Sequence, residues 1–171
     1  MQKMFTQVEA QVNLEFEYYG QNDGTTTPDV PLTGDPAVDQ PVLTAAGYLS
    51  GRIMALAFSA TAGRGTVIVP CDGATHVPYG TLINGPGNYA ESIGPSGSKK
   101  APVVRAMPKF KVPAQSFVAT PTKAYKVGDP LYCGTGASVG LWTADANGPQ
   151  TGICTHVPSA AEPWLGVAQS F

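Results

Sequence analysis

The chain has 171 residues, of which 43% are hydrophobic and 13% charged, with a formal net charge of −2. That apolar share is enough for a core, the charged share is about half the usual roughly 25%, and the negative net charge argues against a basic nucleic-acid binder. Gly (20) and Pro (16) are scattered without a period, which excludes collagen and leaves little room for long helices.

From Val8 to Tyr18 apolar and polar residues alternate without a break. Successive side chains of a strand point to opposite faces, so this segment reads as a half-buried strand. Its apolar face carries Val8, Val12, Leu14, Phe16 and Tyr18. Together with Phe5, these are the candidate protein-binding residues of an extended N-terminal arm. Two readings stand side by side: an ordinary first strand of the main sheet, or a strand that adds to a neighbouring subunit or partner.

Residues 21–47 read as a Pro- and Gly-rich linker, with a turn at Asn22-Asp23-Gly24 and prolines at 28, 31, 36 and 41. The expected division is therefore 1–47 as arm and linker and 48–171 as a compact β domain. Ile53–Phe58 is a continuous apolar run crowded by Gly47, Gly51 and Gly63, which favours a buried strand over a helix. A second strand follows at Thr66–Val69, and residues 71–101 read as loop. Further strands are expected near Val103–Ala106, Phe110–Val112, Ser116–Ala119, Pro130–Cys133, Ser138–Trp142, Gly152–His156 and Trp164–Gln169. Spacing of about ten residues with turns between implies an all-β fold, a small β-barrel or sandwich.

Charge is unevenly placed. Residues 1–47 carry seven acids against Lys3, whereas residues 99–126 carry seven bases and no acid. The asymmetry would steer one segment onto the other, within a subunit or between neighbours, unless both are simply solvated faces. Met1-Gln2-Lys3-Met4 leads into alternation rather than an apolar stretch, so no secretory leader is expected. No run reaches the roughly 20 apolar residues of a membrane helix, and no membrane partner is expected. Cys71, Cys133 and Cys154 are read as free buried thiols.

Motifs for chemistry are weak. Cys71 with His76, and Cys154 with His156, lack the paired spacing of a structural zinc site. Gly94-Pro95-Ser96-Gly97-Ser98-Lys99-Lys100 lacks the spacing and ending of a phosphate loop. Neither histidine sits in a nucleophile motif. No enzyme activity, cofactor or metal is expected. Lys109 and Lys111 flank Phe110 as in a single-strand binder, but the net charge opposes that reading and no nucleic-acid partner is expected.

The last fifty residues carry a resemblance. Ala124-Tyr125-Lys126-Val127-Gly128-Asp129-Pro130-Leu131-Tyr132 reads as a polar turn delivering a strand. Gly140-Leu141-Trp142-Thr143 and then Trp164-Leu165-Gly166-Val167-Ala168 follow. This cadence resembles the β-rich decoration, or cement, proteins of tailed-bacteriophage capsids. The resemblance implies a β-barrel or β-tulip-like domain without catalytic activity. Such a protein is made in the host cytoplasm and sits on the capsid exterior of the virion. Its implied partners are the major capsid protein and itself, as a homotrimer. The alternative is a tail, neck or head-fibre component with a receptor- or glycan-binding role. Trp142 or Trp164 would then face ligand instead of the core.

Overall fold

The structure, a computed structural model, describes residues 14–19, 35–58, 66–83, 100–105 and 109–170. Along the chain run β1 (Leu14–Tyr19), α1 (Pro36–Ala45), β2 (Ile53–Phe58), β3 (Thr66–Pro70), β4 (Pro78–Leu82) and β5 (Lys100–Val104). They are followed by β6 (Phe110–Pro113), β7 (Pro130–Cys133), β8 (Trp142–Thr143), β9 (Gln150–His156) and β10 (Trp164–Gln169). Among the described residues the fold is all-β apart from one short α-helix and two 3-10 turns. A closed barrel has the order β1-β3-β2-β4-β5, and a five-stranded sheet has the order β6-β10-β9-β7-β8.

The apolar run in β2 is buried on one face at Ile53, Ala55 and Ala57 and on the other at Met54, while Leu56 on that second face is 39% exposed. Ile53, Ala55 and Ala57 join Val67, Val69 and Cys71 in a core between barrel and sheet. From the second sheet this core receives Val112, Leu131, Cys133, Trp142, Cys154, Leu165 and Val167. Met54 and Ile68, on the opposite faces of β2 and β3, pack with Leu43, Tyr48, Leu82 and Val103 in a second core. Each fully buried Leu, Ile or Met contributes about 1.5–3 kcal/mol.

Polar contacts tie the two halves together. The buried Trp142 indole donates to Gly51 O at 2.8 Å, and Ser116 Oγ donates to Ser50 O at 2.7 Å. Gln169, at the end of β10, reaches the barrel: its amide donates to Val104 O at 3.0 Å and Arg105 O at 2.8 Å and accepts from Thr81 Oγ1 at 2.6 Å.

The span 35–47, expected as linker, is largely helical. Asp35 caps the helix, its carboxylate accepting from Ala37 N at 2.9 Å, and Pro36 follows where its missing N–H costs nothing. Leu43 then enters the same core as Tyr48, so the packed unit reaches back across residue 47. Pro78–Leu82, within the expected loop 71–101, is a strand. Gly80 suits it because a Cβ there would lie 2.4 Å from Val103 Cγ1 on β5. Residues 116–119, expected as a strand, contribute only the bridge Phe117↔Trp142 after a 3-10 turn at Ala114–Ser116.

Candidate functional site

Of the arm residues, Phe5, Val8 and Val12 lie outside the described residues, as do Gly94–Lys99. Leu14, Phe16 and Tyr18 lie on β1, which is a stave of this chain's own barrel. β1 runs antiparallel to β5, with Leu14 opposite Val104, Phe16 opposite Pro102 and Tyr18 opposite Lys100. Its other edge meets β3 in parallel at Tyr18↔Val67 and Tyr19↔Ile68. Glu15 and Glu17 of the acidic segment thus lie, by backbone register, opposite Val103 and Ala101 at the start of the basic one.

The second sheet presents the more distinctive surface. Lys111, Gly166 and His156 form a row across β6, β10 and β9, because Gly166 is registered with both partners. Residues in register share a face, and Trp164, two residues before Gly166, shares it too. The Trp164 indole stacks on the His156 imidazole with centroids 3.8 Å apart and planes at 21°. Lys111 Nζ lies 4.3 Å from the indole centroid, a cation–π contact. His156 Nε2 lies 3.4 Å from Glu162 Oε2, an ion pair whenever the imidazole is protonated. Close packing of β10 against β9 rests on Gly166, where a Cβ would lie 2.6 Å from His156 Cβ and 2.7 Å from Thr155 Oγ1.

Beside this row the polar turn takes a fixed shape. Gly128 has φ +90°, a region that suits glycine. Its N–H donates to Cys154 O at 2.8 Å, and Asp129 N donates to Lys126 O at 3.0 Å. Lys123 Nζ pairs with Asp129 at 2.9 Å. These bonds hold the turn against Cys154 of β9; Val127 in the turn (60%), Ile153 on β9 (42%) and Val157 just after it (37%) are exposed. The preceding loop is pinned by Tyr125, whose hydroxyl donates to Val118 O at 2.7 Å and whose ring meets Phe117 edge-on. Burial pushes the Tyr125 phenol above its ordinary pKa. The Asp145 carboxylate accepts from Lys123 N at 2.7 Å and Thr122 N at 3.0 Å. Those two N–H donors hold it below the usual carboxylate range.

A cleft of about 350 Å³ opens on the barrel between Leu56, His76, Val77, Tyr79 and Arg105. The Arg105 guanidinium lies 4.7 Å from the Tyr79 ring centroid, and His76 Nδ1 accepts from Asp72 N at 3.1 Å.

The two tryptophans part company. Trp142 is fully buried, while Trp164 is half-buried on the outer face. Phe110, a candidate for base stacking in the sequence, packs against the core and meets Trp142 edge-on at 5.8 Å. Cys71 and His76, and Cys154 and His156, do not converge on a shared point. Among the described residues no group of three or more His, Cys, Asp or Glu is placed to hold a metal ion. Among the described residues no helix is long and apolar enough to cross a membrane. The row around Gly166 offers stacking, charge and apolar contact, which are the means of a binding surface. Its sequence signal was the Lys-Phe-Lys alternation at 109–111 together with Trp164. The pairing through His156 depends on register and has no local signature.

Comparison of the chain with protein-family models, with curated proteins and with solved structures finds no match.

Proposed function

We propose that this chain is a noncatalytic structural virion protein. It binds the outer surface of a tailed-phage capsid and stabilises contacts between major capsid subunits. What supports the reading is the resemblance of segments 124–132, 140–143 and 164–168 to decoration proteins; Leu131, Trp142, Thr143, Leu165 and Val167 in these segments are buried, while the turn at Lys126–Asp129 leaves Val127 exposed. Strands β7 and β10 belong to the second sheet, the turn at Lys126–Asp129 is hydrogen-bonded to Cys154 of β9, and Val127, Ile153 and Val157 are exposed. A preorganised turn-rich surface loses little conformational freedom on binding, so more of the contact energy appears as affinity. Repetition around a shell adds avidity.

The test is cosedimentation with shells assembled from the major capsid protein of the same phage. Saturable binding at a fixed ratio to shell subunits is expected. Val127→Asp, at an exposed position, should weaken that binding at least tenfold and leave the melting temperature within a few degrees. Absence of binding to both unexpanded and expanded shells would overturn the reading.

A second reading has its own observation. The half-buried Trp164 carries the His156 ring on one face and Lys111 Nζ over the other, so a sugar or planar ligand group would stack there by displacing the flexible Lys111 side chain. A tail, neck or head-fibre component with a receptor- or glycan-binding role would use it so. Ligand protection of Trp164 fluorescence from a soluble quencher, with Trp142→Phe removing the shielded background, would favour that reading.

A further inference from the structure

Cys71 follows β3 of the barrel and Cys133 ends β7 of the second sheet, and both are fully buried. The backbone around them is interlocked. Gly140 N donates to Cys71 O at 2.7 Å, and Gly73 N donates to Gly134 O at 3.0 Å. The Cys133 thiol donates to Cys71 O at 3.3 Å. Hydrogen bonding with the Cys133 thiol, followed by burial, pushes the Cys71 thiol far above its ordinary pKa. Cys154 stands apart from this pair, its thiol directed to His156 O at 3.5 Å.

We propose that Cys71 and Cys133 are a peroxide-responsive pair whose disulfide covalently joins the barrel to the second sheet. One thiolate attacks a peroxide oxygen; the O–O bond breaks and leaves a sulfenic acid, with the displaced oxygen released as water after protonation. The second thiol, losing its proton, attacks that sulfur; the S–O bond breaks, the disulfide forms and a second water leaves. Two thiols are oxidised and one hydrogen peroxide is reduced to two waters. Only a small oxidant reaches sulfurs this deep. Because both thiols are buried, the reaction is slow and follows local opening. The crosslink closes a long loop between two elements already in place, which restricts the unfolded chain.

The test uses the full chain, treated with hydrogen peroxide and then unfolded in an alkylating reagent. Alkylatable cysteines should fall from three to one, Cys154, with the intact mass reduced by two hydrogens. Peptide mapping should join Cys71 to Cys133, the melting temperature should rise, and dithiothreitol should reverse both changes. Cys154→Ser should keep the crosslink and Cys133→Ser should abolish it. If Cys133→Ser fails to fold, mapping in the wild type and in Cys154→Ser decides. Three alkylatable thiols after treatment, a bond involving Cys154, a bond between chains, or irreversible over-oxidation would each overturn the proposal.

Discussion

At Gly166 the absence of one carbon lets β9 lie close against β10. A Cβ there would meet His156 Cβ at 2.6 Å and His156 N at 2.7 Å, neither of which is the far end of a flexible side chain. Relief requires β9 to move, and β9 also carries Cys154 into the core and His156 against Trp164. Gly166→Ala is therefore expected to destabilise by about 1–3 kcal/mol. In a chain of this size that lowers the melting temperature by about 2–4 °C per kcal/mol, readable by calorimetry. It should also change Trp164 fluorescence, since the imidazole stack shifts with β9. An unchanged melting temperature and spectrum would mean that the strands separate without cost. Trp142 makes the opposite use of bulk. It fills the space between the layers and satisfies Gly51 O from its indole N–H, so it serves packing and hydrogen bonding at once.

Among elements, α1 holds its shape against one of its own residues. Pro41 lies inside the helix, where it lacks the N–H that would reach the Ala37 carbonyl. Asp35 at the cap and Leu43 in the core outweigh that loss. Replacing Pro41 by Ala should restore the bond and relieve the ring clash, worth about 3 kcal/mol in a helix interior, less the ~0.4–1 kcal/mol by which proline restrains the unfolded chain. Pro41→Ala is thus expected to stabilise by about 2 kcal/mol in chemical denaturation. A fall in stability would mean that proline serves a packing role there. The loop at 117–125 depends on Asp145 in a pH-dependent way. Its carboxylate pKa is lowered on folding, chiefly by the Lys123 and Thr122 N–H groups, so its contribution is present above the unfolded value of about 4. That contribution is lost as pH falls through the lower folded value. Asp145→Asn should melt below wild type at pH 7, and the gap should close on acidification; a constant gap would point to a cause other than ionisation. Elements were legible where local pattern and burial agreed. Ile53–Phe58, Pro130–Cys133 and Trp164–Gln169 carry β-formers between turn residues and form strands there. α1 was obscured because its prolines favour extended chain, although Asp35-Pro36 is a cap-and-first-turn pair. β4 was obscured because Pro78 and Gly80 read as turn residues, and its reason lies across the sheet in Val103. The row at Gly166 was half legible: Gly166 and Trp164 stand out in sequence, but His156 joins them only through pairing 10 residues away.

At the scale of the molecule, β2 and β3 belong to two cores at once. Ile53, Ala55, Val67 and Val69 face the second sheet, while Met54 and Ile68 face the barrel interior. Neither core can come apart while the other keeps these strands, so the intact chain should unfold in one transition, with calorimetric and van't Hoff enthalpies in agreement. β1 is the stave on which the barrel's closure turns. β5 is registered with β4 only at Thr81↔Val104 and Leu82↔Val103, but with β1 from Leu14 to Tyr18. Without β1, β5 keeps a short ladder, yet its Val103 and Val104 are fully buried. A chain starting at residue 21 is therefore expected to melt well below the full chain and to lose amide protection first in β5 and β4. β9 and β10, paired within the second sheet, should lose protection last. This outcome would make Leu14–Tyr19 part of the chain's own framework, with attachment left to the second sheet. A truncated chain that melts at the same temperature but no longer sediments with shells would instead return the segment to the role of an arm, offering Leu14, Phe16 and Tyr18 to a neighbour.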